Sequence, residues 1–108
     1  MPQRCYYTYI LTNALRSVLY IGITNNLKAR LVEHYLGVSG FTARYGVHYL
    51  LYYETSRYVL NAIRREKELK GWTRAKKMKL IAQINPGLDF LNTRFFPHWP
   101  PQDAHPLR

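Results

Sequence analysis

Cys5-Tyr6-Tyr7-Thr8-Tyr9-Ile10-Leu11-Thr12, followed after residues 13–16 by Ser17-Val18-Leu19-Tyr20-Ile21-Gly22-Ile23, carries the strongest structural signal in this chain. Both runs are short, apolar and rich in aromatic and β-branched residues, and the polar connection between them suits a hairpin loop. They predict paired strands over 5–12 and 17–23. Strand alternation places Tyr7, Tyr9 and Leu11 on one face and Tyr6, Thr8 and Ile10 on the other. On the second strand Val18, Tyr20 and Gly22 share a face. With Tyr9 and Tyr20 on the same side, two phenols stand beside a residue without a side chain, which makes a small polar depression on a sheet. A small core has little use for clustered phenols, because each buried hydroxyl needs a hydrogen-bond partner.

Beyond the hairpin, Asn25 or Asn26 can cap a helix over 27–36 that Gly37 closes. Leu27, Leu31 and Tyr35 form its inward stripe, and Arg30 and His34 lie one turn apart beside that stripe. A loop is expected from Gly37 to about Gly46, then a third strand over 47–55. Ser56 or Thr55 can cap a helix over 57–70. Gly71 breaks it, and Thr73 starts another over 74–84 that Asn85-Pro86-Gly87 ends. The order is ββαβαα, an α/β (α+β) domain with helices covering a small three-stranded antiparallel sheet. Four of the six prolines fall in the last twelve residues, so an irregular tail follows.

At 108 residues the chain supports one domain with a core of its own. Sixteen basic against six acidic residues give a formal net charge of +10, which points to an anionic partner. The bias is uneven. Residues 57–79 hold nine basic and two acidic residues, whereas residues 80–108 balance to zero. Such a helical face would bind a polyanion in a salt-dependent way. Lys67, Lys70, Arg74, Lys76 and Lys77 are the candidate phosphate contacts, and Trp72 between the helices is read as a packing anchor. No apolar run is long enough to span a bilayer and no secretory leader is apparent, so a cytoplasmic protein without a membrane partner is expected. Cys5 is the single cysteine, which excludes an intrachain disulfide and a thiolate metal cage.

Glu66 is the acidic residue with the most to explain. On a 57–70 helix, Val59, Ala62, Ile63 and Leu69 mark the inward stripe, and Glu66 falls within it. A carboxylate there must be paired, with Arg30 or a neighbouring lysine, or must hold a cation. Both readings are open from the helix alone.

Tyr7-Thr8-Tyr9, Tyr20-Ile21-Gly22, Arg30 with His34, Arg65-Glu66-Lys67 and Asn85-Pro86, in that order, resemble the GIY-YIG nuclease superfamily. The similarity is greatest to its small single-domain bacterial members, and extends to the nuclease domain of the bacterial excision-repair incision protein and to homing endonuclease catalytic domains. It covers about residues 5–91, so the nuclease-like domain is placed at 1–91 and the proline-rich tail at 92–108. The resemblance implies site roles. Tyr9 matches the tyrosine often assigned as general base, and Tyr20 the one that positions nucleophile and phosphate. Arg30 matches the arginine that stabilises charge on the scissile phosphate. His34 stands near the leaving side. Glu66 matches the single protein ligand of a divalent ion, and Asn85 is the candidate for a late asparagine that orients the site. In the first motif, Tyr7 and Thr8 replace the glycine and isoleucine.

The residue types suit the chemistry. Arg30 offers a fixed cationic fork for phosphate oxygens. One or two carboxylates can hold Mg2+ when waters and substrate oxygens complete its shell, and the scattered acidic residues exclude a carboxylate-rich two-metal site. A tyrosine of ordinary pKa about 10 needs a nearby positive charge to act as a base. The expectation is an endonuclease that uses Mg2+ or Mn2+ to hydrolyse phosphodiester bonds in DNA, with branched, damaged or single-stranded forms and RNA among the candidate substrates. No small-molecule cofactor is expected, and a monomer is. The alternative is a nucleic-acid-binding module of the same fold with weak or no catalysis. A membrane-surface or protein-interaction domain would leave the tyrosine pair and Glu66 unexplained.

Overall fold

Asn13 builds the turn that starts the fold. Its Oδ1 accepts from the backbone N–H groups of Ser17 and Val18 at 2.8 and 3.1 Å, and its Nδ2 donates to Ser17 Oγ at 2.8 Å. An asparagine side chain can thus stand in for a backbone turn. The turn joins β1 (Tyr6–Thr12) to β2 (Leu19–Thr24) as an antiparallel pair in which Tyr9 faces Gly22 and Leu11 faces Tyr20. The computed structural model describes residues 5–37 and 40–101. The remaining elements are α1 (Leu27–Tyr35), α2 (Gly40–Tyr45), β3 (Tyr49–Ser56), α3 (Val59–Lys70), α4 (Arg74–Ile84) and a 3-10 turn over Leu91–Arg94. β3 lies antiparallel on the free side of β1, which gives the three-stranded order β2-β1-β3.

The sheet separates two apolar layers, as its alternation requires. Tyr9 and Leu11 pack with Leu27, Leu31, Val47, Leu50 and Phe96 on the α1 side. Ile10, Ile21, Leu51 and Tyr52 pack with Leu69 of α3 and Ile81 of α4 on the other. A register shift lies at Ile10/Leu11, where Ile10 pairs with Tyr52 but Leu11 with Leu50. Leu51 is therefore the extra residue of a bulge, which lets it and Tyr52 serve the same layer.

Caps explain most boundaries. Asn26 accepts from Ala29 N–H at 3.0 Å and starts α1, and Thr73 accepts from Lys76 N–H at 3.2 Å and starts α4. At α3 the expected cap is different. Tyr58 holds the cap position without a side-chain bond, while Ser56 Oγ accepts from Tyr58 N–H at 3.2 Å in a small turn before the helix. The expected loop after Gly37 contains a helix, α2, against which α1 packs. Six residues are too few for a periodic pattern to announce it.

The segment after Asp89 is tied to the domain. Asn92 accepts from Leu50 N–H at 2.8 Å and donates to His48 C=O at 3.0 Å, so it anchors the start of β3. Phe96 is buried in the α1-side layer, and Trp99 packs edge-on against Tyr35 at 5.7 Å. The expected tail thus packs on the core as far as Trp99. Its residues 102–108 lie outside the described residues. Among the described residues no helix is long and apolar enough to cross a membrane.

Candidate active site

Tyr9 is only 1% exposed, yet its hydroxyl is the meeting point of two elements. His34 Nε2 lies 2.9 Å from it, and Arg30 Nε donates to it at 3.4 Å. Both partners come from α1, one turn apart, so the helix brings a guanidinium and an imidazole to a single phenol. Behind this contact Glu33 accepts from Arg30 Nη1 at 2.6 Å, and Thr42 Oγ1 of α2 lies 3.0 Å from His34 Nδ1. Both ring nitrogens of a side chain only 1% exposed are therefore engaged. Tyr20 joins from β2, with its ring edge-on to His34 at 5.4 Å.

Gly22 makes the arrangement possible. A Cβ at that position would lie 2.5 Å from Tyr9 Cζ, so the tyrosine ring occupies the space that any other residue would fill. The glycine is required by close approach, and the depression expected beside it is filled by the Tyr9 ring, which is almost fully buried.

The charges follow from burial. Burial pushes the Tyr9 phenol up to about 12, opposed by the hydrogen bond and the positive charge of Arg30. Burial pushes His34 down to about 4, and the Arg30 charge adds to that, so the imidazole is neutral at physiological pH. Arg30 is held above its ordinary value by its bond to Glu33 and then by Tyr9. At neutral pH the centre is a neutral phenol and a neutral imidazole beside one fixed cation.

Glu66 arrives from the other layer. It lies on α3, its side chain is 20% exposed, and it pairs with Lys70 at 3.5 Å. Of the two pairing partners considered for it, the lysine is the one it meets, whereas Arg30 is engaged by Glu33 and Tyr9. The Glu66 carboxylate is still close enough to the Tyr9 phenol to raise its pKa electrostatically. Among the described residues no group of three or more His, Cys, Asp or Glu gathers as a metal cage.

Asn85 is placed elsewhere. It is buried at the end of α4, where its Nδ2 donates to the carbonyls of Leu51 and Asp89 at 3.0 and 2.9 Å. Its Oδ1 accepts from Asp89 N–H at 2.9 Å. The structure does not bring it into contact with Tyr9, Tyr20, Arg30 or His34; its bonds hold the exit of α4 onto β3.

The basic residues separate in the same way. Lys70 and Lys77 line a groove of about 250 Å³ with Leu19, Tyr20, Ile21 and Phe41, along the outer edge of β2. Arg74 instead donates to the carbonyls of Arg16 and Ser17 at 2.8 and 3.2 Å. Lys76 lies over the Trp72 ring at 4.2 Å, with Arg65 also stacked there at 5.2 Å. Lys67 is exposed. Trp72 packs against the α3-side layer, as a packing anchor should.

The departures in the first motif are absorbed by packing. Thr8, almost fully buried, donates from Oγ1 to Ala62 C=O at 3.4 Å, and Tyr7 packs against Tyr53 at 6.1 Å. The hydrogen-bond partners of the Tyr9 hydroxyl are His34 and Arg30, not these two residues. Sequence reasoning missed Glu33 and Thr42 as supports. The i, i+3 spacing of Arg30 and Glu33 was a usable signal, whereas Thr42 lay in a stretch read as loop.

The site lies on the α1 side of the three-stranded sheet, centred on its middle strand, and the domain has a nuclease-type fold. Residues 5–79 match the family model of the GIY-YIG catalytic domain, and the chain belongs to that family. No curated protein and no solved structure matches the chain.

Proposed function

We propose that this protein is an endonuclease that hydrolyses phosphodiester bonds in DNA with the help of one divalent ion, in the cytoplasm. The observation that carries this reading is the convergence of Arg30 and His34 on the Tyr9 hydroxyl, within the field of Glu66.

Arg30 can only donate, so the Tyr9 oxygen accepts from it and the Tyr9 proton is free to point at His34 Nε2. A neutral imidazole with Nδ1–H directed at Thr42 accepts that proton. Tyr9 can thus take a proton from an attacking water while its own passes to His34. The Arg30 Nη2 has no partner among the described residues and can face a phosphate oxygen. Tyr20, on the groove side of His34, positions the substrate.

Glu66 is the residue that would hold Mg2+ or Mn2+. A single carboxylate suits an ion bound mostly by water and substrate phosphate. When bound, the ion would supply positive charge that offsets the phosphate and favours deprotonation beside it.

A second reading, a nucleic-acid-binding module without catalysis, is favoured by the Tyr9 phenol at about 12, far from a base poised at neutral pH. Nicking of supercoiled plasmid with Mg2+ or Mn2+ separates the two. Wild-type protein should nick, while Glu66→Ala and Arg30→Ala should each lose roughly 100-fold or more. Binding without nicking selects the module, and nicking that survives both substitutions removes the assigned site.

A further inference from the structure

Tyr20 is not the last ring in the row that leaves the Tyr9 hydroxyl. Phe41 of α2 stacks on Tyr20 at 5.9 Å with 25° between the planes, and Tyr45 follows Phe41 at 5.0 Å. Phe41 and Tyr45 are 48% and 47% exposed, although both are large aromatic residues on a helix of six. Packing alone does not require two adjacent aromatic rings to face solvent. Arg44 extends over the Tyr45 ring at 5.6 Å, which places a cation at the outer end of the row. Lys70 and Lys77 line the same groove as Tyr20 and Phe41.

We propose that Phe41, with Tyr45 beside it, is a stacking platform for an unpaired base, which makes single-stranded or locally unpaired DNA the substrate class. The inference rests on the reading of the Tyr9 centre as a nuclease site. An aromatic face flanked by lysines is the combination that binds single strands, since the bases stack and the backbone meets positive charge. A paired base in duplex DNA has both faces covered by its neighbours and offers no free face to Phe41. The groove therefore discriminates by whether a base is exposed, without reading its identity. A strand held on Phe41 would pass its backbone along Tyr20, two ring-to-ring steps of 5.9 and 5.4 Å from His34.

Fluorescence anisotropy in metal-free buffer tests this with a labelled thymidine oligonucleotide, its abasic counterpart and a blunt duplex. Wild-type protein should bind the thymidine strand at least about fivefold more tightly than the abasic one, the lower end of one stacked base. Phe41→Ala should remove that difference, leave duplex affinity unchanged and keep the salt slope, because stacking releases no counterions. Phe41→Leu guards against a folding artefact by keeping the apolar bulk without a π face, and should behave like the alanine variant. Phe41→Trp should restore base-dependent binding. Equal binding of thymidine and abasic strands by wild-type protein would overturn the proposal. So would full recovery by leucine, or a loss shared equally with duplex. These readouts need no cleavage, so failure of plasmid nicking alone would sink the endonuclease reading and not the platform.

Discussion

Tyr9 and Gly22 face each other across the β1–β2 pair, and the tyrosine ring fills the volume that a side chain at residue 22 would need. Gly22→Ala should therefore displace the ring from His34 and Arg30. The ring is enclosed, so the strain has no easy release, and overpacking of this kind costs about 1–3 kcal/mol. Urea unfolding should show that loss, and plasmid nicking should fall with it. Unchanged stability and nicking would mean that the ring moves aside freely.

Tyr9→Phe isolates the hydroxyl from the ring. The variant keeps the packing and removes the one atom that His34 and Arg30 share. Nicking should fall roughly 10²–10⁴-fold if the hydroxyl carries the proton. Stability should drop by only about 1 kcal/mol, because Arg30 keeps Glu33 and His34 keeps Thr42. A large loss of stability with modest loss of rate would assign the hydroxyl to the fold.

The low pKa of His34 makes stability sensitive to acid. Its folded value of about 4 lies below the ordinary 6.5, so the unfolded chain binds more protons between the two. Stability contributed by neutral His34 is present above about pH 6.5 and is lost as pH falls toward 4, by about 3 kcal/mol in total. His48 is also pushed down by burial and titrates in the same direction. The measurement is therefore the difference between wild type and His34→Gln in urea midpoint from pH 7 to pH 4. Parallel curves would contradict a buried neutral imidazole.

Asn85 should act on stability. Its three hydrogen bonds join α4 to β3 and to Asp89, and Asn85→Ala leaves the carbonyl of Leu51 without this donor. A cost of about 1–3 kcal/mol is expected. Nicking per folded molecule should remain at the wild-type level, with folded fraction measured by circular dichroism. A variant that is fully folded but inactive would return Asn85 to the chemistry.

The elements visible in the sequence are those with a local cause. The alternation of Tyr7, Tyr9 and Leu11, and the caps at Asn26 and Thr73, needed no knowledge of the rest of the chain. α2 was invisible because its six residues are held by tertiary contact, with Phe41 lying on Tyr20. The packed segment to Trp99 was hidden behind its prolines, which fix backbone angles without saying what the aromatic residues between them touch. For the site, shared strand faces joined Tyr9 to Tyr20, and helical spacing joined Arg30 to His34. The side from which Glu66 approaches depends on where α3 crosses the sheet, and no local pattern encodes that.

The lysines of α3 and α4 should differ in what they do, despite similar positions in the charge run. Lys77 lines the groove beside Tyr20, whereas Lys76 covers Trp72 and Arg74 is bound to the β1–β2 turn. Lys77→Ala should weaken DNA binding and lower the slope of log affinity against log salt by about 0.7–0.9, the share of one phosphate contact. Lys76→Ala should leave that slope alone and cost about 0.5–1 kcal/mol through the lost cation–π contact. Binding titrations over a range of salt, paired with urea unfolding, read both effects. If Lys76 and Lys77 change the slope equally, the nucleic acid follows the whole basic face of α4, and the groove along β2 is not its path.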